Sequence, residues 1–150
     1  MLIAQALPRV LAEPGDREAR EALLRGAMHA GHALGLAGLA LAHAMAQALG
    51  GTYGLPHGAM NALCLPPALA FNRRLVPDEV ARFGAAVGGD AVEESRDLAL
   101  LGGFENLRQF GVPEGDLPAL AAATAQRGGN LANPRPASPE EILELLRGIY

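Results

Sequence analysis

From Gly26 to Asn72 the chain carries not one Asp, Glu, Lys or Arg. A charge-free stretch of this length has two physical solutions. It can form two membrane spans of about twenty residues each, joined near "GGTYGLPHG", or it can form helices buried inside a protein. Its composition favours burial in protein. The stretch is rich in Ala and Gly rather than Leu and Ile, and it holds all four histidines together with Gln47 and Asn61, which bilayer hydrocarbon penalises. The expectation is two helices at the centre of a bundle, touching protein on all sides, and no membrane partner.

The rest of the chain agrees with a helical reading. Alternating β-branched runs are missing, aromatic residues make up only 4%, and Ala and Leu, both helix formers, dominate. We therefore expect an all-α helical bundle, with residues 1–150 forming a single domain large enough for one core. All twelve basic residues are arginines and the net charge is -4, a balance that argues against nucleic acid. Cys64 is the one cysteine, so neither a disulfide framework nor a thiolate cluster is available, and a reducing cytoplasm suits it. Pro8, Arg9 and Glu13 interrupt the N-terminal segment where a signal peptide would be uniformly apolar.

Local signals divide the chain. A first helix covers "LIAQALPRVLA" and is closed by "EPGD". Asp16 is placed to cap "REAREALLRGAMHAGHALG", which continues or restarts after Gly35 or Gly38 as "GLAGLALAHAMAQAL". Gly50 and Gly51 are expected to stop that helix, since two glycines are costly inside one. Pro56 suits the first turn of the next, "HGAMNALCLPPALAFNRRL", which Pro66 and Pro67 are expected to kink. Three or four further helices follow before "SPEEILELLRGIY", where Ser138 and Glu141 stand at capping-box spacing.

His43 and His57 are fourteen residues apart. In one straight helix they would stand about 21 Å apart at ~1.5 Å per residue and share nothing. A break near Gly50 and a restart at Pro56 allow His57 to return beside the last turns of the preceding helix. Gln47, four residues after His43, projects from the same face. By spacing alone, two neutral imidazoles and an amide satisfying one another in a tight core remain an alternative to a functional site, because two histidines fall short of a usual metal ligand set. His29 and His32 read as helix-face residues and are assigned no chemistry.

The segment "AGHALGLAGLALAHAMAQALGGTYGLPHGAMNALCLPPALAFN" resembles, without a gap, the helical-domain signature of the iron-containing alcohol dehydrogenase family. Within that family it looks most like the maleylacetate reductase branch. "NPRPASPEEILELLRGIY" is similar to the family's closing segment. The resemblance implies a two-part enzyme, in which an N-terminal α/β domain holds NAD(P) and a C-terminal helical domain supplies most of the metal and substrate site. It implies a divalent metal, iron or zinc, held by one Asp and three His. His43 matches the second His ligand and His57 the third. Gln47 falls where the family commonly has another histidine, one that faces nicotinamide and substrate without binding metal.

Two departures from the pattern matter. The family's "DxxxH" element is absent, since Asp16 is followed four residues on by Arg20, and no glycine-rich phosphate loop follows a strand. The chain is therefore expected to lack an N-terminal α/β domain, supplied by a longer chain or a separate subunit, and to be inactive alone. The second departure is Gln47, whose amide orients a substrate oxygen but relays no proton at neutral pH. Two function classes follow. One is the helical half of an NAD(P)-dependent oxidoreductase acting on a small alcohol or a keto acid such as maleylacetate. The other is a non-catalytic helical interaction or remnant module. An apolar face left by the absent domain predicts self-association, hence a homo-oligomer.

Overall fold

The computed structural model describes residues 1–150 and contains nine α-helices, two short 3-10 turns and no strand. The all-α expectation holds. The first two helices, α1 (Leu2–Ala12) and α2 (Arg17–Ala37), form a hairpin. Asp16 caps α2 by accepting from the Ala19 N–H at 3.0 Å and is gripped by Arg9 at 2.8 Å. The two helices touch at Gly26, where a Cβ would stand 2.6 Å from Cγ1 of Ile3; a side chain there would force them apart. Beyond that contact α2 has nothing to pack on. Every residue from 27 to 40 is exposed, Met28 and Leu36 among them.

The remaining helices are α3 (Leu41–Tyr53), α4 (His57–Asn72), α5 (Pro77–Val87), α6 (Ala91–Leu101), α7 (Leu117–Ala125), α8 (Gly128–Leu131) and α9 (Pro139–Arg147). At the centre, α3 packs against α4, α7 and α8, while α4 also packs against α6. Leu41, Met45 and Leu49 recur every fourth residue along α3, so one stripe of it joins a core that also holds Met60 and Cys64 of α4, Leu117 of α7 and Ile142 and Leu146 of α9. Each fully buried side chain of this size contributes about 1.5–3 kcal/mol through removal from water.

Several expectations need correction. Gly50 and Gly51 do not end a helix: α3 runs through both to Tyr53 and stops at Gly54, which adopts a left-handed conformation with φ 66°. A glycine inside a helix costs only about 1 kcal/mol, less than the burial of Met45 and Leu49 on the same helix returns. The restart offered at Gly38 does form: Gly38, with φ 75°, separates α2 from α3, and their axes differ by 103°. Pro56 precedes α4 as its cap rather than sitting in its first turn. The charge-free stretch is also not enclosed on all sides, since the α2 part of it is exposed and α3 keeps one open face at Gln47 and Gly51. No single helix is long and apolar enough to cross a membrane.

The loop before α9 is held by buried asparagines. Asn130 donates to the Ala125 carbonyl at 3.1 Å and the Ala137 carbonyl at 3.0 Å, and accepts from the Ala137 N–H at 2.9 Å. Asn133 and Asn72 exchange two amide hydrogen bonds, at 2.8 and 3.1 Å. The capping box at the start of α9 forms as expected, with Glu141 N–H donating to Ser138 Oγ at 3.3 Å and Ser138 N–H donating to Glu141 at 2.9 Å. Arg135 makes a two-pronged contact with the same carboxylate at 2.8 and 3.0 Å.

Removing the Asn130 amide leaves three backbone groups without partners in a dry site, so Asn130→Ala is expected to lower unfolding free energy by roughly 2–4 kcal/mol. Urea titration followed by circular dichroism measures this; a loss within error of zero would show that the loop is held by other means. Arg135, and after it the Ser138 N–H, hold the Glu141 carboxyl down at about 2, below its ordinary 4.5. A depressed carboxylate contributes stability that is fully present above pH 4.5 and is lost as pH falls toward 2. Because the side chain is 38% exposed, the loss is expected to be about 1 kcal/mol or less. Melting temperature should fall more over this pH range in the wild-type chain than in Glu141→Gln, and parallel curves would remove Glu141 as the cause.

Candidate metal and substrate site

The turn after α3 decides where His57 goes. Gly54 closes α3 through its N–H to the Gly50 carbonyl at 2.9 Å, and the left-handed backbone there reverses the chain at little steric cost. Residues 54–56 are non-helical, and Leu55 O passes 3.5 Å from where a Cβ on Gly50 would stand. The three residues thus run back along the last turns of α3, covering roughly 10 Å at ~3.3 Å per residue. A helix that starts at His57 then begins beside the first turns of α3 rather than its last. Gly50 has a role here, but it is close approach rather than helix termination.

His43 and His57 meet as a result, with ring centroids 4.6 Å apart and planes at 78°. For metal–nitrogen distances of about 2.1 Å, two imidazoles on adjacent corners of one ion have centroids roughly 4.5–5.2 Å apart. The observed centroid separation falls within that range. Burial pushes the His43 ring below its ordinary 6.5, and the neighbouring His57 ring adds to this, while Asn61 acts the other way by favouring the charged ring. A neutral imidazole is the form that ligates metal. No third His, Cys, Asp or Glu joins the pair.

His43 is half-buried, whereas His57 and Gln47 are exposed. Gln47 stands one turn beyond His43 on the open side of α3, and no protein group hydrogen-bonds to its amide, so the three side chains do not form a closed polar core. His29 and His32 lie on the exposed part of α2, away from the pair. Asn61 was given no site role in the sequence, although its position four residues after His57 puts both on one face of α4. Arg127 was also missed. Its guanidinium reaches the same helix, with Nη2 3.9 Å from the Cβ position of Gly51, and no local pattern around residue 127 signals a contact with residue 51.

These features can be compared with known proteins. Residues 1–150 match the Fe-containing alcohol dehydrogenase family, C-terminal. The chain is 38% identical over 146 residues to maleylacetate reductase from Sphingobium indicum, covering 96% of this chain and 41% of that protein. It is 36% identical over 157 residues to lactaldehyde reductase from Escherichia coli, covering 96% of this chain and 41% of that protein. The crystal structure of maleylacetate reductase from Rhizobium sp. superposes with a TM-score of 0.90 at 36% identity, covering 99% of this chain and 42% of that one. The chain thus spans about two fifths of the length of the relatives it matches. A bundle of this architecture, matched over its full length, places the chain in the iron-containing alcohol dehydrogenase family, as its C-terminal helical domain.

Proposed function

We propose that this chain is the metal- and substrate-site half of an NAD(P)-dependent oxidoreductase that interconverts a small alcohol and its carbonyl, or reduces a keto acid. The observation that carries the reading is the 4.6 Å approach of His43 and His57 on an otherwise open face. Two imidazoles drawn together from different helices and left facing outward suit a site completed by another polypeptide. An α/β domain preceding these helices, or a separate subunit, is the partner, and a cover over the exposed apolar surface of α2 is the second thing it would provide. The cytoplasm is the proposed location, where the buried Cys64 thiol, pushed up by burial, stays reduced.

His43 and His57 would hold a divalent iron or zinc as neutral donors, with the missing Asp and His coming from the partner. When bound, the ion polarises a carbonyl or alcohol oxygen and the dinucleotide gives or takes the hydride. The chain's own residues bind and orient. The pair presents its nitrogens from the starts of α3 and α4, whose relative position the 54–56 turn holds. Gln47 offers one N–H donor pair and one acceptor oxygen to a substrate oxygen or carboxylate. It holds no proton to exchange near pH 7, so proton delivery would fall to solvent or to the partner.

The 150-residue chain alone should not retain a catalytic metal, since two neutral donors lack the carboxylate that most attracts a dication. After dialysis against chelator and re-addition of zinc or iron, metal analysis should find well under one ion per chain. A stoichiometric, tightly held ion bound by one chain would overturn that expectation. Adding back an α/β domain that ends in "DxxxH" should restore both metal and NAD(P)-linked activity. If no such partner restores either, the reading gives way to a non-catalytic helical module. In the restored enzyme Gln47→Ala should lower turnover by roughly ten- to a hundredfold, as expected for one lost orienting hydrogen bond to a polar substrate, while metal content stays near wild type. Parallel loss of metal and turnover would show that the amide has a different role.

A further inference from the structure

Arg127 is the polar group least explained by the fold. It sits between α7 and α8 and supplies the extended residue that starts α8, with φ -78° and ψ 144°. Its Nε is buried and has no hydrogen-bond partner. Arg9, Arg73, Arg135 and Arg147 each close on a carboxylate within 2.9 Å; Arg127 does not. The carboxylate that reaches the C-terminal end of α3, Asp116, is engaged by the Tyr53 hydroxyl at 2.7 Å. Residues 26–72 contribute no other anion. The end of α3 favours a cation through its free carbonyls, which accounts for the charge being there, yet the guanidinium is bonded to none of them.

Where the guanidinium points matters more than its lack of a partner. Nη2 is the one atom near the Cβ position of Gly51, at 3.9 Å. Gly51 is exposed and lies one turn beyond Gln47 and two beyond His43, on the same side of α3. A side chain at 51 would lie against Nη2, whereas glycine leaves the guanidinium uncovered on that side. Along the axis, Gln47 and Gly51 are about 6 Å apart at ~1.5 Å per residue, a span that a short keto acid bridges between its carbonyl and its far carboxylate. A planar fork of N–H donors is suited to two-pronged binding of an oxyanion.

We propose that Arg127 recognises an oxyanion laid along α3 past Gly51, either the carboxylate of the substrate or a phosphate of the dinucleotide. The inference rests on reading this face as the substrate side of an oxidoreductase. Anion binding by the guanidinium, however, is measurable without catalysis. In the isotope-labelled 150-residue chain, the Arg127 Nε–H resonance, assigned by its loss in Arg127→Gln, should shift saturably on titration with succinate or inorganic phosphate. The other arginine signals should not follow it, and Gly51→Leu, which puts a better helix former at an exposed helical site, should abolish the shift. No saturable shift with either anion, or the same shift in Gly51→Leu, would overturn the proposal.

The enzyme restored with its α/β partner separates the two sources. If the anion is the substrate's, Arg127→Gln should raise KM for a keto acid roughly tenfold or more, as expected for a lost charge-assisted pair, and leave KM for a neutral aldehyde of similar length unchanged. If it is a phosphate, KM for the dinucleotide should rise with both substrates. Arg127→Lys should recover only part of the loss, because it keeps the charge but not the fork. Unchanged constants throughout would overturn the proposal. A wild-type assembly without NAD(P)-linked activity, alongside an intact anion-dependent shift, would instead count against the oxidoreductase reading alone.

Discussion

Everything at the open face depends on α3 being clamped at both ends while only one of its sides is buried. At its start, Gly129 of α8 packs so close that a Cβ would stand 2.9 Å from the Ala40 carbonyl, and the Leu41 N–H points at Asn133 Oδ1 at 3.5 Å. At its end, Gly54 reverses the chain and Tyr53 is tied to Asp116. The Leu41, Met45 and Leu49 stripe is buried in the core that α3 shares with α4 and α7. With rotation and tilt removed by this packing, the opposite side of the helix presents His43, Gln47 and Gly51 in a set direction.

The second dependence is electrostatic. A stretch without Asp, Glu, Lys or Arg surrounds the two histidines. Burial, and after it the neighbouring His57, push the His43 ring below its ordinary 6.5. Carboxylates and guanidinium groups are instead concentrated at the periphery, in exposed pairs such as Arg9 with Asp16 and Arg73 with Asp90. Such pairs contribute little individually; their main effect is to fix caps, as Asp16 and Asp90 both accept from helix N-terminal N–H groups. Arg127 is the one charged group at the edge of this open face.

The conformational features follow the same division of labour. Positive φ is confined to glycines, and two of them set the geometry of the site: Gly38 turns α3 away from α2 by 103°, and Gly54 sends the chain back toward His43. The asparagines of the loop before α9 do for the C-terminal half what Gly54 does for the site. Asn130 replaces a missing stretch of regular hydrogen bonding, and Asn133 links that loop to the end of α4 through Asn72. These are buried polar groups whose donors and acceptors are matched, and they make the arrangement of α3, α4 and α9 a single packed unit.

Much of this was legible in local sequence. Helix content, the Asp16 cap, the Ser138 and Glu141 capping box, and the shared face of His43 and Gln47 all follow from interactions within a few residues, where propensity and side-chain periodicity act directly. The resemblance of "LAHAMAQALGGTYGLPHGAMN" to one enzyme family was legible for a different reason, because it is a pattern of residue types at spacings that only a folded site makes meaningful. What local chemistry could not decide was set by packing between distant segments. Gly50 and Gly51 look like a helix stop, yet burial of one face of α3 outweighs their cost and carries the helix to Tyr53. The charge-free run from 27 to 40 looks like core, yet it is exposed in this chain. The contact of Arg127 with the Gly51 face joins residues remote in sequence, and a guanidinium's direction is decided by the backbone that holds it. Sequence by itself determined which segments are helical and which face of each is apolar, since those depend on neighbours three or four residues away; only the tertiary structure decided which faces meet, because that depends on close packing summed over the whole core.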